Sequence, residues 1–308
     1  MSGTAAARAD SSRLLVGIGV TMLGVLVFAL SNALAKWLTG GYPVGQILFV
    51  RSVVVLAILA FLITREDIRA MRQAGRPWLH VWRAILSAVE VVCFYWAIVE
   101  LPLAGGTTIY LAGPIYVTAL SAIFLREEVG WRRWLAVLAG FGGVVVALQP
   151  SGLSFTIYTA VSVAGSVMYA ISLVITRRLR GTPTTLLVGV QVVPLLLITA
   201  LSAWPLHPPT SLVGGWIMPG PTDAAILALV GLLSLVGYWC INRGLQLAPA
   251  SVITPFNYVS IVWATILGYL VFAEIPTPAM LTGAAIIVAA GLYIVLREHV
   301  RGAGTRPT

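Results

Sequence analysis

The sequence predicts an all-α polytopic membrane protein with ten transmembrane helices, arranged as two inverted five-helix repeats. Hydrophobic residues make up 59% of the chain and charged residues 9%, and the mean hydropathy is +0.97. A soluble domain carries about 25% charged residues, so the composition excludes that class. The other two observations are a series of membrane-length apolar segments and a motif that occurs twice.

Each predicted helix is an apolar segment of about 20 residues, the length that crosses the hydrocarbon core at about 1.5 Å per residue. The segments cover residues 14–38, 43–63, 79–99, 103–125, 131–148, 153–176, 183–204, 223–244, 250–272 and 277–296. Proline and glycine stand at most of the breaks between them,. The first segment is too long for a signal-peptide core and lacks a convincing small-residue cleavage site, so we interpret it as span 1.

The placement of arginine orients the spans, because Lys and Arg collect in cytoplasmic loops. Arginines precede span 1 and follow spans 2, 4, 6 and 10, whereas the loops after spans 3, 5, 7 and 9 contain neither Lys nor Arg. We therefore expect both termini in the cytoplasm of a bacterial cell, with the spans in the inner membrane. The net charge of +9 reflects this topology and does not indicate a nucleic-acid partner.

The repeated motif is a proline followed by an apolar run and a glutamate. Pro102 and Glu127 recur 147 residues later as Pro249 and Glu274. Five spans per half is an odd number, which places Glu127 in a cytoplasmic loop and Glu274 in an outer one. The halves are therefore predicted to be inverted, an arrangement typical of secondary transporters.

A second match supports the duplication at an offset of 141 residues. It aligns GVLVFALSNALAKWL, which begins at Gly24, with GSVMYAISLVITRRL, which begins at Gly165. Chance similarity of small and apolar residues is the alternative explanation for either match alone. The predicted organisation is a cytoplasmic tail at 1–12, repeats at 13–149 and 150–298, and a second tail at 299–308.

Two charged residues fall deep inside predicted spans, where ionisable groups are expensive and usually functional. Arg51 lies ~12 Å and Glu90 ~15 Å from the outer ends of spans 2 and 3. As a pair they would hold the carboxylate and ammonium of a zwitterionic substrate, or Glu90 would carry a coupling proton. The alternative is a structural ion pair between the two spans.

Other charges lie near span ends. Lys36, Arg83 and Arg243 reach the headgroup region from there, and we expect them to snorkel. On span 3, Arg83, Ser87, Glu90 and Phe94 share one helical face,. This polar stripe is predicted to face a cavity and not the lipid.

Aromatic and polar residues deep in the spans complete the candidate substrate site, although simple helix packing is the alternative for each of them. The predicted substrate-binding residues are Arg51, Glu90, Phe94, Tyr110, Tyr169, Tyr238 and Asn257. The predicted coupling or gating residues are Glu90, Pro114 and Pro255, because proline within a span frees backbone carbonyls and kinks the helix. We expect spans 1, 3, 4, 6, 8 and 9 to line the cavity.

The residues that carry a family resemblance are ALAKWLTGGYPVGQILFVRS in spans 1 and 2 and LPLAGGTTIYLAGPIYVTALSAIFLREE across span 4. With the ten inverted spans, they resemble the EamA branch of the drug/metabolite transporter superfamily. The resemblance implies an alternating-access carrier, with export the family-based expectation. In this family, Glu127 and Glu274 match an architectural glutamate, and Asn32 stands where many relatives carry an acidic residue.

The expected substrates are small zwitterionic metabolites, chiefly amino acids and aromatic ones among them. The alternatives are S-adenosylmethionine, riboflavin or a metallophore, and the competing class is a membrane enzyme that acts on lipid. The sequence has no GxxxxGK[ST] or HExxH motif, so we expect a non-enzyme with no P-loop ATPase, metal or cofactor. The expected partners are a small-molecule substrate, membrane lipid and a coupling proton, with the monomer as the functional unit.

Overall fold

The backbone is helical wherever the structure assigns regular secondary structure. The computed structural model describes residues 2–67, 69, 75, 77–113, 115–116, 131–148, 156–179, 182–202, 215–247 and 257–304. Its main helices are α1 (Ser2–Leu38), α2 (Val44–Leu62), α3 (Pro77–Glu100), α4 (Leu103–Leu111), α5 (Trp131–Leu148), α6 (Ile157–Arg178), α7 (Thr184–Ser202), α8 (Pro221–Leu247), α9 (Val259–Phe272) and α10 (Pro278–Gly304). They fall in order on the ten predicted spans, and each satisfies its backbone hydrogen bonds internally, as hydrocarbon requires.

The length and surface of the helices are those of a multi-pass membrane protein. Five helical stretches are long and apolar enough to cross a membrane, namely Leu15–Leu38, Val44–Leu62, Pro77–Glu100, Ile157–Thr176 and Pro221–Ile241. Large apolar side chains such as Phe61 and Leu270 are 91% and 71% exposed, which suits contact with lipid and not with water. The all-α polytopic class is confirmed, while the count of ten spans stays a prediction because the structure describes α4 only over Leu103–Leu111.

Two helices extend beyond their predicted spans. Helix α1 is continuous from Ser2, and α10 continues to Gly304. Parts of the predicted tails at 1–12 and 299–308 are therefore helical extensions of the first and last spans.

The helices pair across the two predicted repeats. Helix α1 packs on α8 and α6 packs on α3, while α2 packs on α7, α4 on α9 and α5 on α10. Exchanging helices 1–5 with helices 6–10 converts the first pair into the second and leaves the other three unchanged. Two related halves would produce this pattern, and the boundary between residues 149 and 150 remains a prediction.

The same small-residue contact forms both of the exchanged pairs. A Cβ added to Gly24 of α1 would lie 2.8 Å from the Cβ of Cys240 on α8, and one added to Gly165 of α6 would lie 2.8 Å from the Cβ of Cys93 on α3. A side chain at either glycine would therefore collide with the facing helix. Cys93 and Cys240 are therefore small residues at equivalent helix crossings. This explains why they stand 147 residues apart, the same offset as Pro102 and Pro249.

The close contact at Gly24 predicts a position-specific loss of stability. We expect Gly24→Leu to lower the free energy of unfolding by at least 1–3 kcal/mol, roughly the cost of overpacking, because Cys240 and the Ile241 backbone block the new side chain. Thermal unfolding in detergent measures the change. The control is Gly19→Leu on the same helix, where a Cβ meets no atom within 4 Å. Equal midpoints for the two variants would show that the crossing is not tight.

Candidate functional site

The structure brings most of the predicted site residues together around Glu90 of α3. Glu90 lies within electrostatic reach of Arg51 on α2 and of three tyrosines, Tyr110 on α4, Tyr169 on α6 and Tyr238 on α8. The Tyr110 hydroxyl donates a 3.0 Å hydrogen bond to the Glu90 backbone carbonyl. Helices from both predicted halves therefore contribute to one central site.

Arg51 is held by a neutral hydrogen-bond relay. Its side chain is buried, with 4% exposure, and its Nη1 donates to the Tyr95 hydroxyl at 2.9 Å. Tyr95 in turn donates to Oδ1 of Asn32 on α1 at 3.1 Å. The guanidinium carbon also lies 5.4 Å from the centre of the Tyr95 ring, a cation–π distance. Among the described residues, this relay contains no carboxylate and uses one of the five N–H donors of Arg51,.

The Glu90 carboxylate is buried and has no hydrogen-bond donor or ion-pair partner among the described residues. Glu90 is 8% exposed, and no described residue donates a hydrogen bond to its carboxylate or forms an ion pair with it. The expected direct pair between Arg51 and Glu90 is therefore absent from the described contacts. The two charges interact through space, which leaves both groups available to a ligand or a proton.

Aromatic rings form the walls of the site. The Phe94 ring lies edge-on to the Tyr95 and Tyr110 rings, with centroids 5.6 and 4.9 Å away. Tyr110 and Tyr169 are 6.4 Å apart and tilted by 43°. Such surfaces pack well against a flat ring system.

The polar stripe of α3 forms hydrogen bonds with α6 and α7, and its exposure to a cavity stays a prediction. The Ser87 and Ser172 hydroxyls are 2.6 Å apart, which joins α3 to α6. Arg83 donates from Nε to Thr176 at 2.7 Å and from Nη1 to the Leu187 carbonyl at 3.1 Å. Arg83 therefore forms its hydrogen bonds within the protein, contrary to the expectation that it snorkels to the headgroups.

A small cavity adjoins Arg51 between α2, α3, α7 and α8. Its polar lining consists of Arg51, Ser52, Gln191, Ser234 and Tyr238. Gln191 lies near the Tyr238 hydroxyl in this lining. The cavity volume is about 20 Å³, enough for about one water molecule. A metabolite requires a larger space, so the surrounding helices must separate to admit one.

The end of the bundle where α1 stops, termed the Lys36 end, is held by an ion pair. Lys36 is 9% exposed, and its Nζ donates to Glu274 Oε1 at 2.5 Å and to the Leu101 carbonyl at 2.7 Å. The other oxygen of Glu274 accepts the Leu103 backbone N–H at 2.9 Å. Lys36 is therefore engaged within the protein and does not snorkel, and the pair joins α1, the start of α4 and the turn after α9.

The backbone conformation after α9 places the Glu274 carboxylate beside Lys36. Ala273 ends the helix with φ = 53°, a left-handed conformation that a residue with a Cβ adopts at some cost. The Glu274 N–H then bonds the Gly268 carbonyl at 3.1 Å. A Cβ at Gly268 would lie 3.1 Å from Glu274 Oε2, so glycine there makes room for the carboxylate.

A second set of contacts closes the same end. Gln46 at the start of α2 donates to the Ile217 carbonyl at 2.6 Å and accepts the Ile217 N–H at 3.0 Å. Tyr42 donates to Asp223 of α8 at 2.6 Å. These bonds fasten the segment before α8 onto α2.

The remaining predicted site residues lie elsewhere. Asn257 precedes α9 and is the neighbour of Tyr258, which packs in an apolar cluster with residues such as Ile115 and Ile287. No described contact joins Asn257 to Arg51 or Glu90. Pro114 and Pro255 lie outside the described residues, as does Glu127. The site also uses α2 and α7, which the sequence analysis did not assign to the cavity. Gln191 was missed, although it is the one amide within an otherwise apolar segment, LLVGVQVVPLLL.

Comparison with known proteins establishes the class. The model of the EamA-like transporter family matches residues 15–149 and 156–297. The chain is 28% identical over 297 residues to a riboflavin transporter of Rhizobium johnstonii, covering 95% of each protein. It is 27% identical to the pseudopaline exporter of Pseudomonas aeruginosa, over 89% of this chain and 94% of that protein. An S-adenosylmethionine uptake transporter of Rickettsia felis is 23% identical, over 92% of this chain and 94% of that protein.

A solved crystal structure shares the fold, with a TM-score of 0.59 and 18% sequence identity over 93% of this chain and 97% of that one. The family match and the named relatives indicate a multi-pass membrane transporter of small metabolites. The chain is a member of the EamA-like transporter family.

The ion pair at the Lys36 end generates a stability prediction. We expect Lys36→Met to lower the free energy of unfolding by about 1–3 kcal/mol, because it leaves the Leu101 carbonyl and Glu274 without their cation. Adding Glu274→Gln to that variant should cost less than Glu274→Gln costs in the wild type. A double-mutant cycle of unfolding in detergent measures this coupling. The exposed Arg65→Met is the control, and additive effects of Lys36 and Glu274 would contradict the prediction.

Proposed function

We propose that this protein is an alternating-access carrier of the bacterial inner membrane that moves a small metabolite containing a flat ring. The observation that carries the proposal is Arg51 held at the edge of an aromatic site, with Tyr95 and Tyr110 on its walls. The guanidinium fork suits carbonyl or carboxylate oxygens, and the rings suit a planar group. Both termini are proposed to be cytoplasmic.

The named relatives favour riboflavin, S-adenosylmethionine or a metallophore over the amino acids expected first. Riboflavin heads the proposed substrates because its planar ring system carries carbonyl oxygens that match the Arg51 donors. S-adenosylmethionine combines a ring with a carboxylate and is the second candidate. The relatives are all named transporters, which favours a carrier over a lipid-modifying enzyme.

The substrate proposal is tested by counterflow into proteoliposomes that contain the purified protein. We expect saturable riboflavin counterflow that unlabelled riboflavin competes away and that phenylalanine and tryptophan leave unchanged. Arg51→Gln should reduce the initial rate by about 10-fold or more, since a charge-assisted hydrogen bond contributes roughly 1.5–3 kcal/mol. Saturable amino-acid flux without riboflavin or S-adenosylmethionine flux would overturn the proposal.

The matched control for Arg51 is Arg65→Gln. Arg65 is exposed and follows the end of α2 at Leu62. It should transport at the wild-type rate. An equal loss in both variants would show that the Arg51 effect is not specific to the site.

A further inference from the structure

We propose that Glu90 is the proton-binding site of this carrier and that a proton and the substrate move together in the same direction. The proposal rests on the carrier function proposed above. It starts from the burial of Glu90, which is 8% exposed and receives no hydrogen bond or ion pair on its carboxylate from the described residues. An ionised carboxylate in such a place is costly, and binding a proton removes the charge.

The groups that face Glu90 come from several helices. Among the described residues, the titratable or charged groups within its electrostatic reach are Arg51 on α2, Cys93 and Tyr95 on α3, Tyr110 on α4, Tyr169 on α6 and Tyr238 on α8. Arg51 is the one cation in this set, and the phenols and the thiol are neutral in their ordinary protonation state. No second carboxylate within this set competes for the proton.

Arg51 links proton binding to substrate binding. Its charge favours the ionised form of Glu90 through space, without a direct bond. When an electron-rich group of the substrate occupies the Arg51 donors, that support for the Glu90 charge weakens and a proton binds more readily. By thermodynamic reciprocity, a protonated Glu90 strengthens substrate binding by the same factor. This sign of coupling is that of a symporter.

The polar stripe of α3 connects Glu90 with one end of the bundle. The helical face that carries the stripe also includes His80, so polar residues extend from His80 through Arg83 and Ser87 to Glu90, a rise of ~15 Å. His80 is buried, and its Nε2 has no partner among the described residues. Beyond Glu90 the buried face of α3 continues with apolar residues such as Phe94 and Ile98.

Contacts among the described residues hold the opposite end of the bundle together. The Lys36 end is tied by the pair with Glu274 and by the Gln46 and Tyr42 hydrogen bonds. The polar path and the closed end together place proton access to Glu90 at the His80 end. The topology predicted from arginine places that end in the cytoplasm.

Proton binding is tested first without any substrate. Infrared difference spectra of the purified carrier across a pH titration should show a protonated-carboxyl band that Glu90→Gln removes. Glu100→Gln, at an exposed position on the same helix, should keep the band. Loss of the band in both variants, or in neither, would overturn the proton site whatever the substrate is.

Coupling is tested with riboflavin as the probe in the same proteoliposomes. An imposed gradient of one pH unit should drive about tenfold accumulation on the alkaline side, because one unit is a tenfold ratio of protons. Glu90→Gln should abolish this accumulation, and any counterflow that it retains should not respond to the pH gradient. Glu90→Asp should restore part of the accumulation, and Glu100→Gln should behave as wild type.

Two outcomes would overturn the coupling. They are accumulation on the acidic side and gradient-driven accumulation by Glu90→Gln. Absence of riboflavin counterflow in the wild type would instead count against the proposed substrate, and the infrared titration would still decide the proton site.

Discussion

The close crossing of helices at glycine is the constraint on which the rest of this structure depends. Gly24 brings α1 onto α8 at Cys240, and Gly165 brings α6 onto α3 at Cys93. Lipid supplies no hydrophobic drive between helices, so backbone approach and van der Waals contact must hold them together. Because each crossing joins a helix of one predicted half to a helix of the other, the same contact that stabilises the bundle also creates a site shared by both halves.

That shared site is polar at the centre of an apolar bundle, and its hydrogen bonds run between helices. Asn32, Tyr95 and Arg51 connect α1, α3 and α2. The hydroxyls of Ser87 and Ser172 connect α3 with α6. A polar group without a partner is costly where water is scarce, so these relays favour one arrangement of the helices. Within this site the Glu90 carboxylate receives no hydrogen bond from the described residues, which suits the proton-binding role proposed for it.

The carrier presents two kinds of contact with different consequences for motion. The Gly–Cys crossings are tight and apolar, which suits surfaces that stay together. The Lys36 end is held by an ion pair and a few hydrogen bonds, which exchange readily for bonds to water. Alternating access needs both kinds, because one part must remain packed while another separates. The cavity of about 20 Å³ beside Arg51 lies in a packed arrangement of helices, from which the proposed alternating access would start.

The membrane class, the approximate positions of the helices and the family could be predicted from the residues alone, because hydrocarbon imposes a length and an apolar composition that can be counted. The same was true of Arg51, Glu90, Phe94, Tyr110, Tyr169 and Tyr238, since polar and aromatic groups deep in a span are rare. Which of these residues lie close together depended on the folded structure. It showed that Tyr95 and Asn32 hold Arg51, that Gln191 joins the site, that Asn257 does not, and that Lys36 bonds Glu274. Those contacts join residues far apart in the chain, and their geometry depends on helix rotation and crossing, which a spacing pattern does not specify.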